Sequence, residues 1–314
     1  MVISAVALAD GVGAFSAFKN GVGARALAMG GAFVAVADDS TAVCWNPAGL
    51  AQVDDTRIGG MSTDLFGFGK THQFVGATTT FSNIGIGLGW ERASISNLSD
   101  VNVSNDGPIT RNESAIVLTL ATNIMDIGLA GTNVKYYMAD SSYGPSASGF
   151  GFDLGLLVNL GDMFTIGVNA KDIGNSNIAE TDGTTDSITG LYTAGLAMSL
   201  VDDKLTLAGD IDFDGAGLGD VHAGLEYKVI DELALRGGVV LTDNFESYYF
   251  TVGAGINVSG LYVDAAYILN EELGNTLVLS ADFSLGSLLG ETTEEAPAPE
   301  TAPTPAPAPA PTPE

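Results

Sequence analysis

The chain has 314 residues, of which 46% are hydrophobic and 16% are charged, and 38 Asp and Glu residues outnumber 11 Lys and Arg residues. The formal charge of −27 repels phosphate backbones, which excludes nucleic acid as a partner. A composition this apolar excludes a wholly disordered protein. After the first ten positions, no apolar run reaches the roughly 18 residues that a membrane helix needs.

The first nine residues read MVISAVALA, and Ala7-Leu8-Ala9 resembles the small-residue cleavage site of a secretory signal peptide. No basic residue precedes this apolar stretch. It is therefore either the remnant of a signal peptide or a short structural segment, and we predict a remnant at residues 1–9.

Residues 10–54 form the next predicted unit, which is rich in glycine and other small residues. Gly21-x-Gly23 invites a nucleotide-binding interpretation, but no strand pattern precedes it and no Walker lysine follows it. A lone G-x-G is a weak signal, so we expect no nucleotide and no other cofactor.

Between residues 55 and 286 the hydrophobic pattern has a period of two, which is typical of strands with one apolar and one polar face. About fourteen such segments occur, beginning near Thr56, Thr71, Asn83, Glu113, Met125, Ala147, Met163, Ser187, Lys204, Asp220, Glu232, Ser247, Leu261 and Asn275. Most are long enough for a tilted membrane-spanning strand, which needs about 9–11 residues.

The connections between these segments alternate in length. Tight turns are predicted at residues 82–83, 161–162, 201–203, 230–231 and 259–260, and longer polar loops at residues 94–112, 139–146 and 173–186. This alternation is typical of outer-membrane barrels, whose closure also pairs every backbone group in lipid. We therefore predict an all-β fold, a closed antiparallel transmembrane β-barrel of about 14 strands. A soluble sandwich or propeller is the alternative.

Aromatic residues at the strand ends favour the barrel, because barrels carry aromatic girdles at both membrane interfaces. They are Trp90, Phe150, Tyr227, Tyr248 and Phe283. The polar faces of the strands predict a wet lumen lined by Asp153, Lys171, Asp210, Asp212, His222, Glu226, Lys228, Arg236, Asp264 and Asp282.

The sequence predicts neither a metal site nor an enzyme. His72 and His222 are the only histidines and Cys44 is the only cysteine, so neither a transition-metal cluster nor a disulfide is expected. Asp210-x-Asp212-x-Asp214-Gly215 resembles the first half of a calcium loop, but Val221 stands where that loop needs Glu.

Residues 287–314 form a low-complexity tail that holds eight of the 11 prolines. Such a composition predicts an extended, polyproline-II-like spacer. The tail is either a solvated flexible end or a tether that reaches another layer of the cell envelope.

Short motifs in the N-terminal unit resemble the PorV/PorQ-type outer-membrane proteins, relatives of the long-chain fatty-acid transporter (FadL) superfamily. These motifs are Gly23-Ala24-Arg25-Ala26-Leu27, Met29-Gly30-Gly31-Ala32-Phe33, Ala37-Asp38-Asp39 and Asn46-Pro47-Ala48-Gly49-Leu50. Three further matches extend the resemblance over about residues 12–286: Gly224-Leu225-Glu226-Tyr227, Leu233-Ala234-Leu235-Arg236-Gly237-Gly238 and Leu273-Gly274-Asn275-Thr276. The chain departs from the family pattern at Cys44, where an aromatic is usual, in its shorter loops, and in the tail that follows Phe283.

The resemblance implies a fourteen-stranded barrel in which the N-terminal unit folds inside as a hatch. The candidate hatch and gating residues are Arg25, Asp38, Asp39, Asn46, Pro47 and Ala48. Carboxylates inside a plug need cationic partners. Arg25 is the nearest candidate partner, and Lys171, Lys204, Lys228 and Arg236 are others. Alternatively, Asp38, Asp39 and Asn46 only cap local structure.

We expect a bacterial outer-membrane protein in contact with lipid, with both termini periplasmic because the strand number is even. The first functional hypothesis is hatch-gated transport of a hydrophobic or amphipathic small molecule. The second is a protein-interaction barrel of a secretion system that binds exported cargo, and the third is an envelope anchor whose tail meets a cell-wall partner. Without its five tail glutamates the chain still carries about −22, a charge that disfavours anionic solutes such as free fatty acids.

Overall fold

A computed structural model describes residues 15–53, 55–65, 69–98, 109–124, 127–142, 144–242, 245–271 and 274–289. The predicted signal remnant, the predicted strand start at Met125 and residues 290–314 of the predicted tail lie outside these ranges. Within the described ranges, no helix is long and apolar enough to cross a membrane.

Strands make up most of the described chain. Their bounds are β1 Arg57–Leu65, β2 Lys70–Phe81, β3 Ile84–Leu98, β4 Ile109–Ile124, β5 Gly128–Ser141, β6 Ala147–Leu160, β7 Phe164–Lys171, β8 Ser176–Glu180, β9 Thr185–Ile188, β10 Leu191–Leu200, β11 Leu205–Asp214, β12 Gly217–Ile230, β13 Leu233–Thr242, β14 Ser247–Val258, β15 Leu261–Leu269 and β16 Thr276–Ser284. All except β8 and β9 pair antiparallel in one ring, in which β1 also pairs with β16 and β5 with β6. The predicted closed antiparallel barrel of 14 strands is therefore confirmed.

The turns also follow the prediction. The connections at residues 82–83, 161–163, 201–204, 231–232 and 259–260 are short, and they share one rim of the barrel with the start of β1 and the end of β16. The longer connections lie on the opposite rim, together with the two-residue turn at 215–216. We call these two edges the short-turn rim and the loop rim.

The predicted loops need correction, because strands continue into all three of them. β3 runs on to Leu98, β4 starts at Ile109 and β5 ends at Ser141. Residues 173–186 contain β8 and the start of β9, and β10 begins at Leu191 rather than near Ser187. β8 and β9 are too short for an alternation pattern to show, and buried Ile178 and Ile188 fix them by packing on the barrel interior.

The two faces of the barrel differ as the alternation predicts. The outer face is large and apolar, and the predicted rim aromatics all project from it, from Trp90 at 37% exposed to Tyr248 at 65%. The main hydrophobic core lies inside the barrel and is formed largely by residues 15–53, which we call the plug. Its elements are a 3-10 turn at Ser16–Asn20, helix α1 (Ala24–Ala28), helix α2 (Ala42–Trp45) and a 3-10 turn at Pro47–Gln52; helix α3 (Leu285–Leu289) follows β16.

Asp55 joins the two ends of the barrel wall at the short-turn rim. Its carboxylate accepts hydrogen bonds from the Ser284 hydroxyl at the end of β16 and from the Gly286 amide in α3, at 2.8 Å for the latter. Burial raises the pKa of Asp55, but the hydrogen bonds from Ser284 and Gly286 outweigh it and hold the pKa below its ordinary value of 3.8.

We expect Asp55→Asn to lower the free energy of unfolding by about 1 kcal/mol at neutral pH, because it weakens hydrogen bonds to a charged group. A pKa lowered by folding means that the stabilisation is present above the ordinary pKa of 3.8 and disappears as the pH falls through the lowered value. Urea titration in detergent micelles at several pH values measures this, and Asp162→Asn in an exposed turn of the same rim is the control. A wild-type-to-variant difference that does not shrink in acid would contradict this role.

Candidate functional site

The plug approaches the inner wall so closely that glycines line the wall at the points of contact. A Cβ on Gly131 would lie 2.3 Å from the carbonyl carbon of Pro47, and one on Gly238 would lie 2.3 Å from the Gly30 amide nitrogen. Three other wall glycines face plug backbone atoms in this way: Gly85 faces Leu50, Gly167 faces Val34 and Gly224 faces Met29. Gly155 faces the side chains of Asn46 and Pro47. The glycine-rich composition of the strands therefore makes room for the plug backbone.

Arg25 in α1 is the centre of an ion-pair network between plug and wall. Its guanidinium contacts Asp38, lies 3.4 Å from Asp39, and donates from Nε to Glu226 Oε2 at 2.9 Å. Glu226 in turn accepts from Arg236 Nε at 2.5 Å, and Arg236 also binds Asp264 at 2.6 Å. The structure thus brings six of the predicted hatch and lumen residues into one network, which ties α1 to β12, β13 and β15.

Asp282 forms a second ion pair beside this network. It accepts from Arg57 Nε at 2.7 Å, and Arg57 Nη1 also donates to the Asp38 carbonyl at 3.2 Å. Arg57 was not predicted as a site residue, although the alternating pattern of β1 puts it at the first inward position.

The Asn46-Pro47-Ala48 motif fixes the plug to the opposite wall. Asn46 Nδ2 donates to the Val34 carbonyl at 2.9 Å and to the Leu156 carbonyl of β6 at 3.1 Å, while its Oδ1 accepts from the Ala48 amide. Pro47 and Ala48 pack on Gly131 of β5. Asn46 therefore caps the local turn and also binds the wall.

Asp210 and His222 hold the middle of the plug. Asp210 Oδ2 accepts from the amides of Phe33 and Val34 at 2.7 and 2.9 Å, which makes it an anchor for the plug backbone. His222 Nδ1 lies 2.7 Å from the Gly30 carbonyl, and its Nε2 lies 3.4 Å from Asp212. Within the described residues, no group of three His, Cys, Asp or Glu side chains is arranged to hold a metal ion.

A buried cluster near the loop rim contains Lys135, Tyr137, Asp153 and Asp172. Lys135 Nζ lies 2.7 Å from Asp153 and 2.8 Å from Asp172, and the Tyr137 hydroxyl donates to Asp172 at 2.9 Å. Only Asp153 of these was predicted. Lys135 and Tyr137 occupy inward positions of β5, which alternation could have shown, but Asp172 turns inward because of its left-handed φ of 51° between β7 and β8.

Three lysines that were candidate partners of Asp38 and Asp39 lie apart from Arg25. Lys171 sits over the Trp45 ring at 5.4 Å, Lys204 lies in the short turn before β11, and Lys228 is exposed at the short-turn rim. None of the three contacts Asp38 or Asp39 within the described residues, so Arg25 alone among the candidates reaches them.

Two larger cavities lie on opposite sides of α1. The upper cavity, about 340 Å³, opens toward the loop rim and is lined by Leu27, Gly30, Trp45, Leu191, Tyr249 and Ile268 together with Asp212 and His222. The lower cavity, about 320 Å³, lies toward the short-turn rim and is lined by Arg25, Asp38, Glu226, Arg236, Asp264 and Asp282. Between them, Ala28 and Met29 rest on Gly253 and Gly224.

Comparison with known proteins gave structural matches only; no protein-family model and no curated protein matches the sequence. The toluene transporter TodX of P. putida is 14% identical with a TM-score of 0.65, and the match covers 84% of this chain and 99% of that one. The toluene transporter TbuX of Ralstonia pickettii is 14% identical with a TM-score of 0.61, over 84% and 98% of the two chains. A FadL homologue of Pseudomonas aeruginosa is 14% identical with a TM-score of 0.56, over 81% and 96%. This chain therefore has the fold of the FadL-type barrels.

Proposed function

We propose that this chain is an outer-membrane barrel that passes hydrophobic or amphipathic small molecules, with the plug as its gate. The observation that carries the proposal is the pair of cavities above and below α1, each large enough for a small organic molecule. The fold it shares with the toluene transporters supports a hydrophobic ligand.

The outer face supports the location. Its strands expose Leu154, Val252, Leu279 and similar residues to the surroundings at about half of their surface, between 48% and 56%. So wide a band of exposed apolar side chains is unfavourable in water and suits a lipid environment. Because both ends of the barrel wall lie on the short-turn rim, we place both termini in the periplasm.

The plug supports gating at α1. This five-residue helix stands between the two cavities and is flanked by glycines with left-handed φ angles, Gly21 and Gly23 before it and Gly30 and Gly31 after it. Glycines there allow the backbone to turn at both ends of the helix without side-chain clashes. We propose that residues 10–54 act as a hatch in which a shift of α1 joins the cavities.

The transport proposal is tested by filling the upper cavity. Ile268→Trp places a large side chain in that cavity, whereas Leu269→Trp, one residue on, faces outward from β15. We expect Ile268→Trp to slow uptake of radiolabelled ethylbenzene into proteoliposomes with a lipopolysaccharide outer leaflet at least fivefold, and Leu269→Trp to leave it unchanged. Wild-type uptake no faster than that of protein-free vesicles would overturn the proposal.

A cargo-binding role in secretion, as in PorV-like barrels, is the second candidate. The observation that favours it is the tightly seated plug: among the described residues, the upper and lower cavities share no lining residue. Retention of an exported protein by the purified barrel, without uptake of ethylbenzene, would favour this role. The tail would then act as a periplasmic spacer toward the cell wall.

A further inference from the structure

A small cavity between the plug and the wall is lined by a buried hydroxyl that has no partner. The cavity, about 20 Å³, lies between the plug at residues 23–25 and 39–41 and strands β15, β16, β1 and β2. Ser40 of the plug is 1% exposed, and its Oγ has no hydrogen-bond partner within the described residues. A cavity of this size admits one water molecule or one small ion. The unpartnered hydroxyl therefore points to an occupant.

Asp282 of β16 brings a carboxylate oxygen next to this hydroxyl. Its Oδ1 binds Arg57, while its Oδ2 accepts a long hydrogen bond of 3.3 Å from the Ser40 amide. A Cβ on Gly59 would lie 2.1 Å from Ser40 Oγ and 2.8 Å from Asp282 Oδ2, so both oxygens flank the same point of β1. Two oxygens this close can bind one small ligand together.

Two further carboxylates line the cavity and add negative charge. Asp264 of β15 binds Arg236 through Oδ1, and its Oδ2 takes part in no hydrogen bond within the described residues. Asp39 Oδ2 lies 3.4 Å from Arg25, which is a long contact for an ion pair. Ser280, opposite Asp264 in the register of β16, adds a second hydroxyl to the lining.

The arginines do not balance these carboxylates. Within the described residues, five carboxylates share three guanidinium groups at this end of the plug: Asp38, Asp39, Glu226, Asp264 and Asp282 with Arg25, Arg57 and Arg236. Arg25 is the one cation of the cavity lining, and its N–H groups are directed at Asp38, Asp39 and Glu226. Carboxylates without compensation are costly away from water, so a bound cation is favoured.

An ion can reach the cavity from the short-turn rim. Arg25, Asp39, Asp264 and Asp282 line both the small cavity and the lower cavity, which therefore adjoin. The remaining charged residues of the lower cavity do not supply the missing cation. They are exposed Lys228 and the carboxylates Asp231 and Glu232, which outnumber it.

We propose that this small cavity binds one monovalent cation, held by Ser40 Oγ and Asp282 Oδ2 in the negative field of Asp39 and Asp264. We call it the Ser40 site. The ion joins the plug, which supplies Ser40, to β16 of the wall. The inference goes beyond the proposed function, because it concerns how the plug is seated and does not require transport.

The composition of the Ser40 site favours a single charge on the ion. Ca²⁺ takes six to eight oxygen ligands, and Mg²⁺ keeps several of its waters. A cavity of about 20 Å³ has no room for such waters. Within the described residues, no three carboxylates converge as a site for a divalent ion would need, and the Arg25 guanidinium repels a divalent ion more strongly than a monovalent one.

Hydrogen exchange of the full-length protein in detergent micelles tests the site, with Na⁺ as the probe. NaCl replaces N-methyl-D-glucamine chloride at constant ionic strength, so that screening does not change. An ion that binds only the seated plug should slow amide exchange at residues 38–41 about tenfold when Na⁺ reaches about ten times its dissociation constant. Exchange in strands β3 to β5, away from the site, should stay constant.

Ser40→Ala removes the proposed ligand, and Thr78→Ala is the matched control. Thr78 of β2 is 2% exposed, its Oγ1 also has no hydrogen-bond partner within the described residues, and it does not line the cavity. We expect Ser40→Ala to raise the Na⁺ concentration for half-maximal protection about tenfold, since it loses an oxygen bound to a charge. Thr78→Ala should titrate like the wild type.

Sodium-23 NMR measures binding without reference to stability. At equal protein concentration, the bound ion should broaden the sodium signal more in the wild type and in Thr78→Ala than in Ser40→Ala. This measurement on the wild type and Thr78→Ala also stands if Ser40→Ala does not fold, because Li⁺ or Na⁺ but not N-methyl-D-glucamine should then compete for the broadening.

Exchange that does not depend on Na⁺ at constant ionic strength would overturn the inference and assign the cavity to a water molecule. Equal titrations of Ser40→Ala and Thr78→Ala would also overturn it. Full protection by Ca²⁺ at far lower concentration than Na⁺ would overturn the monovalent class. None of these measurements uses uptake, so their failure leaves the transport proposal intact, and a failure of transport leaves this site intact.

Discussion

Gly238→Val is expected to unseat the plug and open the barrel to ions. A Cβ at this inward position of β13 would lie 2.3 Å from the Gly30 nitrogen and 2.4 Å from the Met29 carbonyl carbon, so the end of α1 must move away. Backbone atoms cannot rotate away from the added side chain as a flexible side chain could. We therefore expect a loss of about 3 kcal/mol in the free energy of unfolding. Single-channel conductance in planar bilayers should rise from near zero to a sustained open level.

Gly237→Val is the matched control on the same strand. Gly237 pairs with Val252 on the outer face, and the nearest atom to an added Cβ is a strand carbonyl oxygen at 3.8 Å. This variant should insert, fold and remain closed like the wild type. Equal conductance and equal stability of the two variants would contradict the close seating of the plug on β13.

Arg25→Met is the second change with a large expected effect. It leaves Asp38 and Asp39 without the guanidinium that binds them and removes one of the two arginines that pair with Glu226. Breaking one side of a buried ion pair typically costs about 3–5 kcal/mol. Because the lost contacts join α1 to β12, we expect amide hydrogen exchange to accelerate over residues 24–31 before the barrel strands exchange.

Two further variants separate the effect of the buried Arg25 ion pairs from that of an exposed ion pair. Arg111→Met breaks the Arg111–Glu113 pair, in which Arg111 is 40% exposed, and should cost less than about 1 kcal/mol. Adding Asp38→Asn to Arg25→Met removes a carboxylate that has lost its guanidinium partner and should restore part of the lost stability. If Arg25→Met were as mild as Arg111→Met, the Arg25 network would not hold α1.

The sequence alone determined the strands and which face of each is apolar, since alternation of apolar and polar positions is a local property that does not depend on which strands pair. Thus Phe250, Val252 and Ile256 indicate an outward face whatever strand lies beside β14. β8 and β9 were not predicted, because their few residues carry too little pattern. The inward turn of Asp172 was not predicted either, because one left-handed residue reverses the alternation.

Only the tertiary structure decided which charged residues meet. Arg25 and Glu226 lie 201 positions apart, and residue types can indicate that a buried carboxylate needs a cation but not which cation reaches it. The same holds for Gly238. A glycine at an inward position is explained only by the plug backbone that approaches it. The sequence thus determined which face of each strand is inside, while closure of the barrel around the plug determined what each inward residue touches.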